Sequence, residues 1–192
     1  IQSFEDGDLK TINRRHSGAE AIKAIENIRN AGFDNISIDL IYGLPGQSLP
    51  DWEKQLAIAI QIRPPHISAY GLTYEEDTVL WKLREEKKVS VVDDNTMVKM
   101  YQLLRDKTHQ HGYEAYEISN FSLPGFRSRH NSAYWQQKPY IGIGPSAHSY
   151  SGTSRQWNIN SLNEYIKAVS AGEVPAEVEQ LTLYDQYNDY IM

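Results

Sequence analysis

Apolar and polar positions alternate in blocks along the chain, and each block ends on a recognisable stop. Alanine and isoleucine recur at helical spacing from Ala19 onward. Ser17 and Glu20 stand three apart ahead of that run as a capping box, and Gly32 follows it as a left-handed stop. Ile36 to Tyr42 is an apolar strand that ends in Gly43-Leu44-Pro45-Gly46. Ser48 then caps a helix to about Ile62, with Pro50 tolerated in its first turn. The pattern goes on with a strand over 66–72, a short helix over 78–87, a longer helix over 94–111 stopped by Gly112, and strands over 113–118 and 140–144. Another helix spans 160–171, where Ser161 and Glu164 have the spacing of a second capping box.

Strands separated by helices of ten or more residues predict βαβ units and a parallel sheet, so the fold class is α/β. Ligands of such sheets gather beyond the C-terminal strand ends. That rule makes candidates of Gln2, the stretch from Asp39 to Gly43, Leu72 to Glu75, Ile118 to Asn120, and Gly144 to His148. The chain opens on what reads as the end of a strand and closes inside an amphipathic helix, so both ends are expected to be cuts in a longer protein.

Composition narrows the partners. The 192 residues suffice for one domain, 40% are apolar and 23% charged, and the formal net charge is −6. An acidic balance argues against nucleic acid, which needs a basic face. No stretch has the length of a membrane span and no signal peptide opens the chain, so a cytoplasmic protein is expected. With no cysteine, neither a disulfide nor a cysteine-held zinc or iron–sulfur site can form within these residues. The 13 tyrosines suit an aromatic-lined cleft.

Among single residues, Asp39 sits between isoleucine and leucine and must find donors, either in the protein or in a ligand's amine or ribose. Gly142-Ile143-Gly144-Pro145 looks like a phosphate loop only superficially, since Pro145 removes a donor; a close backbone approach to a ligand is the better reading. His109 and His111 suit the negative end of a helix. His66 reads as structural, and His16 has no evident partner. The stretch Ser128-Arg129-His130-Asn131-Ser132-Ala133-Tyr134-Trp135 reads as a loop of different character. Neutral imidazole is an axial ligand of haem iron, Arg127 and Arg129 can fork onto carboxylates, and Tyr134 and Trp135 can lie against a macrocycle. A loop histidine bonded to a backbone carbonyl is the plainer alternative.

Several motifs occur together in one order: Gln2-Ser3-Phe4, Asn13-Arg14, Asp39 through Gln47, Tyr116 through Phe121, Arg129-His130-Asn131, Tyr134-Trp135 and Ala147 through Tyr150. As a set spanning essentially the whole chain, they resemble the radical S-adenosylmethionine (SAM) family of oxygen-independent coproporphyrinogen III oxidase-like proteins. The H-N-x-x-Y-W stretch resembles its haem-chaperone branch. The resemblance implies a partial (β/α)6 barrel truncated at both ends, with the N-terminal cluster segment absent. Residues 1–175 would form the C-terminal portion of that barrel, and 176–192 the start of a small helical domain.

The same resemblance implies SAM contacts at Gln2, Arg14, Asp39, Leu72, Thr73 and His148, of which Thr73 and His148 depart from the oxidase residue types. It implies haem bound with His130 as iron ligand and Arg127, Arg129, Asn131, Tyr134 and Trp135 around it. A [4Fe–4S] cluster would rest on a C-x-x-x-C-x-x-C run outside this chain. The expected partners are haem and apo-haemoproteins such as respiratory enzymes, with a homodimer as one arrangement. The rival expectation is the oxidase itself, which decarboxylates propionate side chains.

Overall fold

A computed structural model describes residues 1–191 and divides the chain into two units, Ile1–Arg127 and Ser128–Met192. No helix among the described residues is long and apolar enough to cross a membrane.

The first unit is built on a four-stranded sheet. Its strands are β1 (Ser37–Tyr42), β2 (His66–Gly71), β3 (Glu114–Ala115) and β4 (Asn120–Ser122), in the order β1-β2-β4-β3. β1 and β2 run parallel, paired from Ser37 with His66 to Tyr42 with Gly71. Between them lies α3 (Leu49–Ile62), the crossover that a parallel pair requires. β4 runs antiparallel to both β2 and β3. The strand expected over 113–118 is therefore corrected to a short hairpin. The cause is local: the Glu117 carboxylate accepts from the Ser119 amide at 2.9 Å and from the Asn120 side chain, which folds the chain back on itself.

Helices α1 (Asp6–Thr11), α2 (Gly18–Asn30), α4 (Val79–Glu85) and α5 (Asp94–Gln110) complete the unit. The Ser17/Glu20 capping box at α2 forms in both directions, and Ser48 with Asp51 makes a second at α3. His111 Nδ1 lies 2.8 Å from the Lys107 carbonyl in the last turn of α5, as expected at a helix C-terminus. Ile38 and Leu40 of β1, Ile67 and Ala69 of β2, and Phe121 of β4 cluster with Trp52 and Leu56 of α3 and Met100 and Leu104 of α5. Each large side chain buried there contributes about 1.5–3 kcal/mol. The Trp52 indole keeps its donor satisfied on the Met100 carbonyl at 3.0 Å.

The second unit contains α6 (Arg129–Trp135), β5 (His148–Tyr150), β6 (Ser154–Asn158), α7 (Leu162–Ser170), β7 (Ala176–Gln180) and α8 (Leu183–Ile191). β5, β6 and β7 form an antiparallel meander. Two expectations change here. The stretch around His130 is a helix, started by the Ser128 hydroxyl accepting from the Asn131 amide at 3.3 Å. The strand expected over 140–144 reduces to one bridge, Tyr140 to Tyr150. Beyond it the chain turns in, with the Gly142 amide donating to Ser149 Oγ and the Asn158 side-chain Nδ2 donating to the Gly144 carbonyl at 2.8 Å. At α7, Ser161 accepts from the Glu164 amide at 3.4 Å.

Candidate functional site

Strand alternation gives the four-stranded sheet two unlike faces. One carries the core. The other carries Ser37 and Asp39 from β1, His66, Ser68 and Tyr70 from β2, and Asn120 and Ser122 from β4, by strict register. Two short hydrogen-bonded chains run across it. His66 sits between Ser37 Oγ and the Tyr116 hydroxyl, each 2.7 Å from one ring nitrogen. Ser68 Oγ donates to Asn120 Oδ1 at 2.6 Å, and Asn120 in turn bonds Glu117. Burial holds the His66 pKa below its ordinary value, against the pull of Asp39 and Glu117.

The residues expected to contact SAM in this unit are spread over β1, the end of β2 and the turn after α1. Gln2 bridges to Leu40, with its amide on the Asp39 carbonyl at 2.7 Å and its carbonyl on the Ile41 amide at 2.8 Å. It does so at φ 79°, in the region that favours glycine. The Asp39 side chain is exposed and, among the described residues, takes no hydrogen bond. It lies on the polar face, so the apolar neighbours in sequence do not surround it in space. Leu72 and Thr73 follow the end of β2, where the Leu72 amide donates to the Tyr42 carbonyl at 2.9 Å. Arg14 is exposed after α1, its amide on the Leu9 carbonyl at 2.8 Å. His148 belongs to the second unit, where its ring is tilted against Trp157 at 6.5 Å between centroids.

The close approach expected at Gly142 occurs, but the approaching group is the protein's own. A Cβ on Gly142 would lie 2.1 Å from the His148 carbonyl oxygen. At Gly142 the glycine therefore makes room for β5, while a Cβ at Gly144 would meet nothing within 4 Å.

His130 lies in the first turn of α6 with its ring exposed, and among the described residues no hydrogen bond engages it. The ring meets Tyr134, one helical turn on, edge to face at 4.9 Å. Tyr134 is 46% and Trp135 56% exposed, large apolar surface left facing solvent. Arg129 is exposed and Asn131 half-buried on the same helix. Arg127 is placed otherwise. Its guanidinium is held on Glu114 Oε2 at 3.0 and 3.2 Å and lies over the Tyr116 ring at 5.8 Å.

The sequence reading passed over Tyr140, Tyr150 and Arg155. Tyr134 meets Tyr140 edge to face at 4.8 Å, and Tyr140 lies 6.2 Å from Tyr150. The available signal was the tyrosine count, but only folding gathers these rings on one line. It also passed over the pairing of His66 with Tyr116, whose members stand 50 positions apart.

No protein-family model matches the chain. Over 190 residues it is 34% identical to the heme chaperone HemW of Bacillus subtilis (strain 168), covering 98% of this chain and 50% of that protein. It is 36% identical over 148 residues to the mitochondrial radical S-adenosyl methionine domain-containing protein 1 of Danio rerio, covering 77% of this chain and 33% of that one. Coproporphyrinogen III oxidase (HemN) from Escherichia coli, a radical SAM enzyme, superposes with a TM-score of 0.79 at 19% identity, over 100% of this chain and 47% of that one. This last likeness is one of fold. The chain spans half or less of the length of these curated relatives.

Proposed function

The chain belongs to the HemW/HemN-like radical SAM family, and from that premise we propose that the protein containing it is a haem chaperone that passes haem to apo-haemoproteins. His130 is the iron ligand in this reading. Its exposed ring, unengaged by any hydrogen bond among the described residues, is the observation that carries the proposal. Neutral imidazole with a free nitrogen is the donor that haem iron takes axially. The exposed Tyr134 and Trp135 offer flat apolar surface to the macrocycle, and Asn131 and Arg129 supply polar contacts beside it. Arg127 is already held on Glu114 through Nε and Nη2.

The first unit, in the same reading, is part of a partial (β/α)6 barrel that holds SAM. The exposed Asp39 carboxylate, set beside Gln2, fits a cofactor bearing an amine and ribose hydroxyls, and Leu72 and Thr73 follow the neighbouring strand β2. Arg14 suits the methionine carboxylate. Bound SAM would supply a radical source only together with a reduced iron–sulfur cluster. These residues do not fit the cluster: they include no cysteine, and no group of three histidines or carboxylates among the described residues could hold a metal. No step is therefore assigned to it.

The test is a haemin titration of the full-length protein, read at the Soret band, for wild type and His130→Ala in parallel. Saturable binding near one equivalent, with affinity lowered at least tenfold (about 1.4 kcal/mol) or the band displaced in the variant, is expected. Superimposable curves remove His130 from the site. Porphyrinogen decarboxylation by the same preparation would then favour the oxidase.

A further inference from the structure

The rings that begin at His130 lead into a pocket of about 360 Å³ within the second unit. Tyr134 and Trp135 of α6 form one side, and Tyr140 and Tyr150, joined by their backbone bridge, form the other. At its polar end stands Arg155 of β6, the register partner of Tyr150. Lys138 adds a second cation to the lining.

Arg155 is not idle there. It bonds the Asp189 carboxylate of α8, another lining residue, and its other terminal nitrogen lies 3.7 Å from Glu179 of β7. The pocket thus already holds one carboxylate against its guanidinium, and that carboxylate is tethered to the chain. The Arg155 side chain is 41% exposed and that of Asp189 21%. A pair so accessible to water contributes little to stability. Exchanging Asp189 for a ligand carboxylate gives up that weak pair for one that the bound ring shields from water, and burying a flat ring against four aromatic side chains is favourable as well.

We infer that Arg155 pairs with a carboxylate of the haem, and that Asp189 occupies this position when no haem is bound. The inference rests on the reading of His130 as the iron ligand and adds to it the group that recognises the acidic edge of the macrocycle. It also accounts for Arg127. That arginine, adjacent in sequence to the motif, is already engaged in the other unit by Glu114 and Tyr116. Arg155 is distant in sequence and shares a pocket with the motif's own aromatics. Asp189 makes the site selective, because a ligand lacking a carboxylate gains nothing at Arg155 and leaves the internal pair in place.

The experiment uses the full-length protein and two probes, haemin and haemin dimethyl ester, whose carboxylates are blocked. With haemin, Arg155→Gln is expected to raise Kd about tenfold, the size of a lost charge-assisted hydrogen bond. Asp189→Asn is expected to lower it about threefold, a gain that misfolding cannot imitate. With the ester, wild type and both variants should bind alike. Haemin curves for both variants that match wild type overturn the inference while leaving His130 in place, provided His130→Ala still weakens binding. Weaker haemin binding in Asp189→Asn also overturns it. Absence of saturable haemin binding by wild type removes the functional reading itself, and the inference with it.

Discussion

His66 illustrates how much a single position depends on what folding brings to it. The sequence presents a histidine after two prolines, at the start of a strand. The fold presents a buried imidazole, 5% exposed, with a hydroxyl on each nitrogen. A neutral ring can donate through one nitrogen and accept through the other, so both hydroxyls are satisfied without charge. Desolvation lowers its pKa in the fold below the ordinary 6.5. Below that value the unfolded chain takes up a proton more readily than the native one, so acid favours unfolding. The contribution of His66 is complete above about pH 6.5 and is lost as pH falls from there through the folded pKa. Thermal midpoints measured between about pH 7.5 and 5.5 should fall in wild type and fall less steeply in His66→Gln. Equal slopes would show that the ring is not held neutral by burial.

At the scale of elements, the start of α2 separates propensity from fit. Ser17 accepts the Glu20 amide while Glu20 returns a bond to the Ser17 amide at 2.7 Å. Ser17→Ala should cost about 1 kcal/mol. Alanine is also the better helix former at position 18, by about 1 kcal/mol over glycine. Yet a Cβ on Gly18 would lie 1.9 Å from the Phe4 carbonyl oxygen, a backbone atom that no rotamer change can move. Gly18→Ala should therefore destabilise by about 1–3 kcal/mol or more, and its urea midpoint should drop further than that of Ser17→Ala. A midpoint at or above wild type would mean that the approach of Phe4 is not rigid.

The elements that were legible in the sequence share a feature with α2. α3, α5, β1 and β2 all bury an apolar face, so their periodicity is a record of the core. The strands β6 and β7, with sequences S-R-Q-W-N and A-E-V-E-Q, are half-buried and mostly exposed respectively and bury no apolar face, so they leave no such record. The helix α6 is too short for periodicity to speak, although Ser128 stands where a cap should. For the site, the residues named by motif lie on β1, after β2, after α1 and on one short helix, each readable from its own stretch of sequence. Arg155, Asp189, Tyr140 and Tyr150 could not be read, because what assembles them is the pairing of polar strands and a later helix.

Across the whole molecule the apolar burial is uneven. Every buried hydrophobic residue among those described lies in Ile1–Arg127, except Leu181. The second unit instead leaves Ile141, Ile143, Leu162 and Leu183 more than half exposed. Local opening is governed by how much apolar contact must be broken. Amide hydrogen exchange should therefore be slowest in peptides covering 36–69 and 100–108, and faster by at least tenfold across β5 to β7. Comparable protection in the two units, in the protein as it exists, would show that the second is covered by something the described residues do not include.

Gly142 carries a consequence for descent. The space a side chain would need there is filled by the carbonyl of His148, and the same glycine's amide holds Ser149. One backbone position thus fixes the place of two residues that begin the β5 strand. Any lineage that keeps this turn has to keep the glycine, whatever side chain stands at 148. Divergent copies of the gene that keep the turn should therefore keep glycine at 142.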